Sequence, residues 1–391
     1  MNIKETAQKY SDYIIEMRRQ FHQNPEVSTK EYETSKTVMA ELDKIGVPYV
    51  QCGFETGVLA TIKGAKPGKT ILIRGDMDAL TVTEDNDLPF KSKNEGVMHA
   101  CGHDGHTAMM LTAAHILNDI RDELPGTVKL AFQPAEEIGT GANAMIEKGA
   151  MDGVDGVFGI HLWSGVASGK ANVQAGPRMA AADMFEIWVQ GKGGHGAEPD
   201  KAIDAVTCST AIVNSLQTLV SREIRPIDPA VCTVGVMNVG SRWNVVADNG
   251  YIAGTTRCFS YEVYDEFPER MERIIKGICD AYRCTYEFKY TKLLGPTVNH
   301  PEMAALAQES VKKIFGEDGN AEFDPTTGGE DFTFFIQNAP DQMGAIGFVG
   351  IASEEADSCW PHHSPKFKMD ESAFLNGACL YCQVAVDFNS K

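Results

Sequence analysis

Apolar positions in this chain fall into two rhythms. Residues 10–23 carry the helical period and are followed by Asn24-Pro25, so a first helix is predicted to end there. Three short runs rich in Val, Ile and Phe come later: Thr70-Ile71-Leu72-Ile73-Arg74, Thr127-Val128-Lys129-Leu130-Ala131-Phe132 and Gly156-Val157-Phe158-Gly159-Ile160. Helical stretches, notably 107–120, alternate with them, which predicts an α/β domain with a largely parallel sheet. The first run leads into Gly75-Asp76-Met77-Asp78, the second into Gln133-Pro134-Ala135-Glu136-Glu137 and the third into His161-Leu162-Trp163. Ligands of open α/β sheets bind beyond the carboxyl ends of the strands, so acid and imidazole groups are predicted to gather at one edge.

From about Arg178 the pattern changes. Residues 185–190 alternate in the half-buried manner, a helix is predicted over 202–219, strands near 231–236 and 251–258, a second helix over 266–281 and a strand at 286–290. That order predicts a small layer of helices on an antiparallel sheet. Leu294-Gly295-Pro296 then turns the chain back toward the first domain, where a helix over 301–315 helps to complete it. A length of 391 residues exceeds what one core usually holds. The predicted division is a first part of one domain (1–178), an inserted domain (179–293) and the second part of the first domain (294–391).

Composition narrows the function. A formal net charge of −19 repels polyphosphate and the anionic leaflet, so neither nucleic acid nor membrane is an expected partner. There is no run of about 18 apolar residues, and the first residues lack the basic-then-apolar build of a secretory signal, so a cytoplasmic protein is expected. Ten cysteines scattered along a long chain read as reduced thiols. Cys379 and Cys382 are read as two thiols on one face of an apolar C-terminal helix.

The densest chemistry lies in His99-Ala100-Cys101-Gly102-His103-Asp104-Gly105-His106. In an extended segment Cys101 and His103 point the same way, and thiolate plus imidazole suits zinc or a similar late first-row metal. A polar loop capping the next helix is the plainer reading. Glu136-Glu137 offers one carboxylate for a metal and another for a bound water, although adjacent glutamates are more often a solvated pair. His161, at the end of an apolar strand, is by itself more often a core histidine. Asp76 reads as a turn residue after a strand. Trp360-Pro361-His362-His363-Ser364-Pro365 is too constrained for an ordinary surface loop.

Taken in order, the blocks Arg18-Arg19-Gln20-Phe21-His22-Gln23-Asn24-Pro25-Glu26, Arg74 to Leu80, His99 to His106, Gln133 to Glu137, Gly159 to Leu162, Gly193-Gly194-His195-Gly196-Ala197, Gly328 to Phe332 and His363 to Phe367 closely resemble the M20 metallopeptidase family. The resemblance is to its amidohydrolase branch of hippurate hydrolases, N-acyl-amino-acid aminoacylases and auxin-conjugate hydrolases, and it spans nearly the whole chain. It implies a zinc-peptidase-like catalytic domain of α/β class with an inserted α+β lid and dimerisation domain, assembling as a homodimer or homotetramer through the lid. It implies two divalent ions per subunit (zinc, manganese, cobalt or nickel) on Cys101, His103, Glu137, His161 and His363, with Cys101 as the bridge. Glu136 would be the general base, Asp78 the orienting aspartate, and His195 the lid histidine that reaches the substrate. Asn244 and Arg257 match lid positions that hold a substrate carboxylate, and Ala247 stands where a proline often follows the Asn-Val-Val segment. The implied reaction is hydrolysis of a small N-acyl amino acid. A dipeptidase, a carboxypeptidase or an N-acetyl-diaminopimelate-type deacetylase of the same family is the nearest alternative. A thiol enzyme using Cys101 and a non-catalytic metal-binding protein are the rivals from other classes.

Overall fold

A computed structural model describes residues 2–391, and the chain divides into two compact units. The first runs to Gly176 and resumes over Val298–Asp324 and Asp331–Lys391; the second comprises Pro177–Thr297 and Pro325–Glu330.

The first unit is built on a seven-stranded mixed sheet. Its strand order is Tyr49–Gln51, Val58–Lys63, Pro125–Gln133, Lys66–Asp76, Gly156–Ala167, Gly344–Ala352 and Ala171–Asn172. The four inner strands, Pro125–Gln133 to Gly344–Ala352, are mutually parallel, and the remaining three run antiparallel to their neighbours. Ile71, Leu72 and Ile73 are all fully buried, as an inner parallel strand covered on both faces requires. The chain passes from Lys66–Asp76 to the strand on one side of it, Pro125–Gln133, and then back over it to Gly156–Ala167 on the other. Such a reversal opens a crevice at the carboxyl ends of those strands.

Two sequence expectations change here. The strand predicted to stop at Ile160 runs on to Ala167, because Gly344–Ala352, not anticipated as a strand, pairs with it in parallel and sets Phe348 beside His161. The helix predicted over 107–120 is His103–Asp119, one turn longer at its start. Gly102, at φ +94°, turns the chain straight into it, so Cys101 and His103 flank a tight left-handed turn rather than an extended segment. Helix Ala373–Asn389 crosses His103–Asp119 closely enough that a Cβ at Gly377 would collide with Met109 Sδ. Cys379 and Cys382 are buried on that C-terminal helix, and Cys382 Sγ faces Ala113 O at 3.7 Å.

The second unit is a four-stranded antiparallel sheet in the order Ala230–Val239, Asn249–Cys258, Ala182–Gln190, Thr285–Leu294. Phe185, Ile187 and Val189 point into a core shared with helices Ala205–Thr218 and Tyr261–Tyr282, while Met184 and Trp188 face outward. The second helix starts before the predicted residue 266 because Ser260 caps it, its side chain accepting from Val263 N. Among the described residues no helix is long and apolar enough to cross a membrane.

Candidate metal centre

Strand Lys66–Asp76 ends in Asp76 and delivers Asp78 two residues on; Pro125–Gln133 delivers Glu136 and Glu137; Gly156–Ala167 carries His161 past its last pairing with Lys66–Asp76, at Gly159. The turn into helix His103–Asp119 adds Cys101 and His103. His363 joins them by a backbone tie, its N–H donating to Ala100 O at 2.8 Å. Its own φ is +64°, and Ala135, just before the two glutamates, sits at +55°. Left-handed backbone at non-glycine residues is costly and gathers at functional sites.

These residues form overlapping donor groups. The ligand atoms of Cys101, His103 and His161 lie within 4.8 Å of one another, and so do those of Cys101, Glu137 and His363. Cys101 is common to both. Individual separations are 3.5 Å for Cys101 Sγ to His161 Nε2, 3.9 Å for His103 Nε2 to Glu137 Oε1 and 3.5 Å for His363 Nε2 to Glu137 Oε2. Glu136 Oε2 stands 4.0 Å from His103 Nε2.

The imidazoles are aimed. His103 Nδ1 faces the Asp78 carbonyl at 2.9 Å and its carboxylate at 3.2 Å, and His161 Nδ1 faces Leu162 O at 2.9 Å. Donation from Nδ1 leaves each Nε2 directed at the centre, the tautomer a metal needs. Asp78 also accepts from Glu137 N at 3.0 Å and from Ser28 Oγ at 2.6 Å, so it braces two candidate ligands at once.

The donor set fits divalent cations. His103 Nε2 and Glu137 Oε1 are buried with no hydrogen-bond partner, an arrangement that is costly unless something else occupies the space between them. Protons crowd in where positive charge is wanted. Burial pushes the Glu137 carboxyl up to about 7. Burial works against a charged His103, but Asp76, Asp78 and Glu137 outweigh it and raise the imidazole to about 10. Burial, then the charge of Glu137, drives the Cys101 thiol well above its ordinary value. Burial and the neighbouring His106 and His362 keep His161 neutral.

Asp76 is no turn residue. It is fully buried, accepting from His106 Nδ1 at 2.5 Å through Oδ1 while Oδ2 lies 2.7 Å from Arg74 Nη1. His106 Nε2 in turn accepts from Leu162 N at 2.8 Å. With both nitrogens engaged, His106 is a brace rather than a ligand. His362, next to His363, packs its ring on Trp163 at 4.5 Å and on His161 at 5.2 Å. Glu31 was not singled out in the sequence, yet it is fully buried and holds the turn before Glu136 by accepting from Ala135 N at 2.9 Å. No local pattern marks this tie, because Ala135 lies 104 positions along the chain.

His195, Asn244 and Arg257 belong to the second unit. His195 is exposed on the two-residue strand Gly194–His195, which pairs with Val245–Val246, and Asn244 O accepts from Gly196 N at 2.9 Å, so these two residues share a corner. Arg257 lies on the inner strand Asn249–Cys258, with Nη1 donating to Thr256 O at 2.8 Å. The corner lies by the other end of that strand, where Gly193 adjoins Asp248, roughly 25 Å away at ~3.3 Å per residue. Within the unit Arg257 is therefore not beside His195 and Asn244.

A mixed α/β unit with thiol, imidazole and carboxylate donors converging at the strand ends defines a candidate two-cation site. The model of peptidase family M20/M25/M40 matches residues 72–387, and the chain belongs to that family. It is 42% identical over 393 residues to thermostable carboxypeptidase 1 of Saccharolobus solfataricus, covering 100% of this chain and 98% of that protein. It is 38% identical over 374 residues to N-acetylcysteine deacetylase of Bacillus subtilis, covering 95% and 96%. A solved Bacillus subtilis structure described as a dinuclear metal binding peptidase of the M20 family superposes with a TM-score of 0.85 at 34% identity, covering 97% and 98%.

Proposed function

We propose that the protein is a metal-dependent amidohydrolase that cleaves the amide bond of N-acyl amino acids, giving a carboxylic acid and a free amino acid. Two divalent ions on Cys101, His103, Glu137, His161 and His363 would supply the Lewis acidity that activates a water and polarises the amide carbonyl. Glu136 takes the proton of the attacking water and returns it to the departing amine nitrogen. Asp78 keeps His103 in its ligating tautomer. The same proposal gives His195 the developing oxyanion and gives Asn244 and Arg257 the substrate carboxylate, for which a guanidinium fork is suited; because the two are not neighbours within the unit, it has them supplied by different subunits. It includes assembly of subunits through the second unit.

The observation that carries this reading is the second carboxylate. Glu136 stands beside the donors, 4.0 Å from His103 Nε2, as a carboxylate additional to the five ligands of the proposed centre. The acyl amino acid as substrate draws on the likeness to a deacetylase of N-acetylcysteine. Likeness to a carboxypeptidase favours a second reading, cleavage of a peptide at its carboxyl end. A thiol enzyme is disfavoured. Cys101 and His161 are 3.5 Å apart, but burial raises the thiol and lowers the imidazole, the reverse of a thiolate–imidazolium pair.

The test is amine release from N-acetyl, N-benzoyl and long-chain N-acyl amino acids and from simple dipeptides, by enzyme stripped with chelator and refilled with one metal at a time. Metal-dependent cleavage of the acyl amino acids is expected. Cleavage of dipeptides alone would establish the second reading, and activity that survives complete stripping would refute both. Glu136→Gln is expected to lose turnover while keeping its metal content.

A further inference from the structure

The block Arg18-Arg19-Gln20-Phe21-His22 has no part in the chemistry above, yet two of its side chains are buried as charges. Arg18 and His22 lie one turn apart on helix Ser11–Gln23, and both are almost wholly enclosed. They converge on Asp104, the residue after His103: Arg18 Nε lies 3.0 Å and His22 Nδ1 2.7 Å from Asp104 Oδ2. The other His22 nitrogen, Nε2, faces Glu84 Oε1 at 3.1 Å. A ring flanked by two carboxylates donates from both nitrogens and is an imidazolium. The result is a buried cluster in which the carboxylates of Asp104 and Glu84 offset Arg18 and His22, whose nitrogens Nη2 and Nδ1 also lie 3.4 Å apart. Glu84 is itself anchored, accepting from Ser92 N at 2.7 Å and from Asn86 Nδ2 at 3.2 Å. Glu371 fixes the far side of Arg18 at 3.1 Å.

We propose that Arg18 and His22 are positioning residues of the metal centre, clamping Asp104 so that the first turn of helix His103–Asp119 holds His103 in its ligating direction. This rests on the reading of that centre as a metal site. The first turn needs such a hold. Gly102 before it is a left-handed residue with no side-chain cap, and the one cap-like bond of Asp104 is that which Oδ1 accepts from Gly105 N at 3.0 Å. The His103 ring itself is tied to Asp78 through Nδ1 alone. The same N-terminal segment reaches Asp78 as well, through Ser28 Oγ. It therefore holds the chain neighbour of His103 with one arm and its spatial partner with the other. Ligands displaced by about 0.5 Å lose productive geometry, and outer partners of metal ligands are typically worth 10- to 100-fold in affinity.

The experiment loads the full-length protein with cobalt(II) and reads two quantities, the dissociation constant by chelator competition and the visible spectrum of the bound ion. His22→Ala, acting through Asp104 and not on a ligand directly, is expected to weaken cobalt binding about 10-fold, the lower end for groups bonded to a ligand, and to shift the spectrum. Asn389→Ala, which removes buried hydrogen bonds to Pro125 O and Thr127 O, is the control for a merely structural loss and is expected to leave both unchanged. Should His22→Ala fail to fold, Glu84→Gln decides, since it keeps the volume and removes the charge that pairs with His22. Weaker binding in the folded variant supports the clamp; wild-type binding with a wild-type spectrum overturns it. Wild-type protein that takes up no cobalt would instead sink the metal-site reading beneath it.

Discussion

Gly102→Ala probes the turn that sets Cys101 against His103. Gly102 sits at φ +94° and ψ 11°, where an L side chain costs about 1–2 kcal/mol. The added Cβ would also meet Met369 Sδ at 3.0 Å, with Leu162 Cβ at 3.7 Å and Phe367 Cζ at 3.8 Å. Met369 ends in a flexible thioether that can yield, so the contact adds little and the total is about 1–3 kcal/mol. That strain has two outlets. The backbone keeps its shape and the folded state loses stability, or the peptide rotates toward negative φ and Cys101 is carried away from His103. Either way a measurable quantity moves: the urea midpoint of the metal-free protein in the first case, the metal dissociation constant from chelator competition in the second. Gly102→Asn, which tolerates the left-handed region better, should lose less than alanine on whichever scale responds. An alanine variant with unchanged midpoint and unchanged metal affinity would refute the claim that this backbone conformation holds the site together.

Further outcomes follow from the same geometry. Asp78→Ala removes the carboxylate that accepts from Glu137 N and Ser28 Oγ and the longer of the two contacts of His103 Nδ1, leaving the backbone carbonyl at 2.9 Å, and is expected to weaken metal binding about 10-fold, read by chelator competition. Asp104 lies well below the ordinary carboxylate value; burial opposes this, but Arg18 and His22 prevail. A depressed pKa contributes stability that is complete above the unfolded value, about 3.8–3.9, and is lost as pH falls below it. Asp104→Asn should accordingly flatten the acid limb of a stability-against-pH curve, and a limb of unchanged slope would contradict the clamp's electrostatics. The loss of turnover in Glu136→Gln with metal retained, measured by amine release and metal analysis, separates proton transfer from metal binding.

Local pattern carried much of this protein. The runs at 70–74, 127–132 and 156–160 declare buried strands because inner parallel strands need apolar residues on both faces, and the groups that follow them are, by strand geometry, delivered to one edge. The change of rhythm near Arg178 announced a second unit because an antiparallel sheet with one solvated face alternates. Cys101, His103, Glu137 and His363 stand out through residue type and constrained neighbours, since few other uses put thiol, imidazole and paired carboxylates beside glycine and proline. Tertiary structure decided the rest. Asp76 looks like a turn residue until Arg74 and His106 are seen around it. Glu31 and His22 are tied to the site by partners more than sixty positions away in the chain, Ala135 and Asp104. A sequence displays what each residue can do, but hydrogen bonds and charges act over a few ångströms of space, and which residues come that close is fixed by packing of the whole chain.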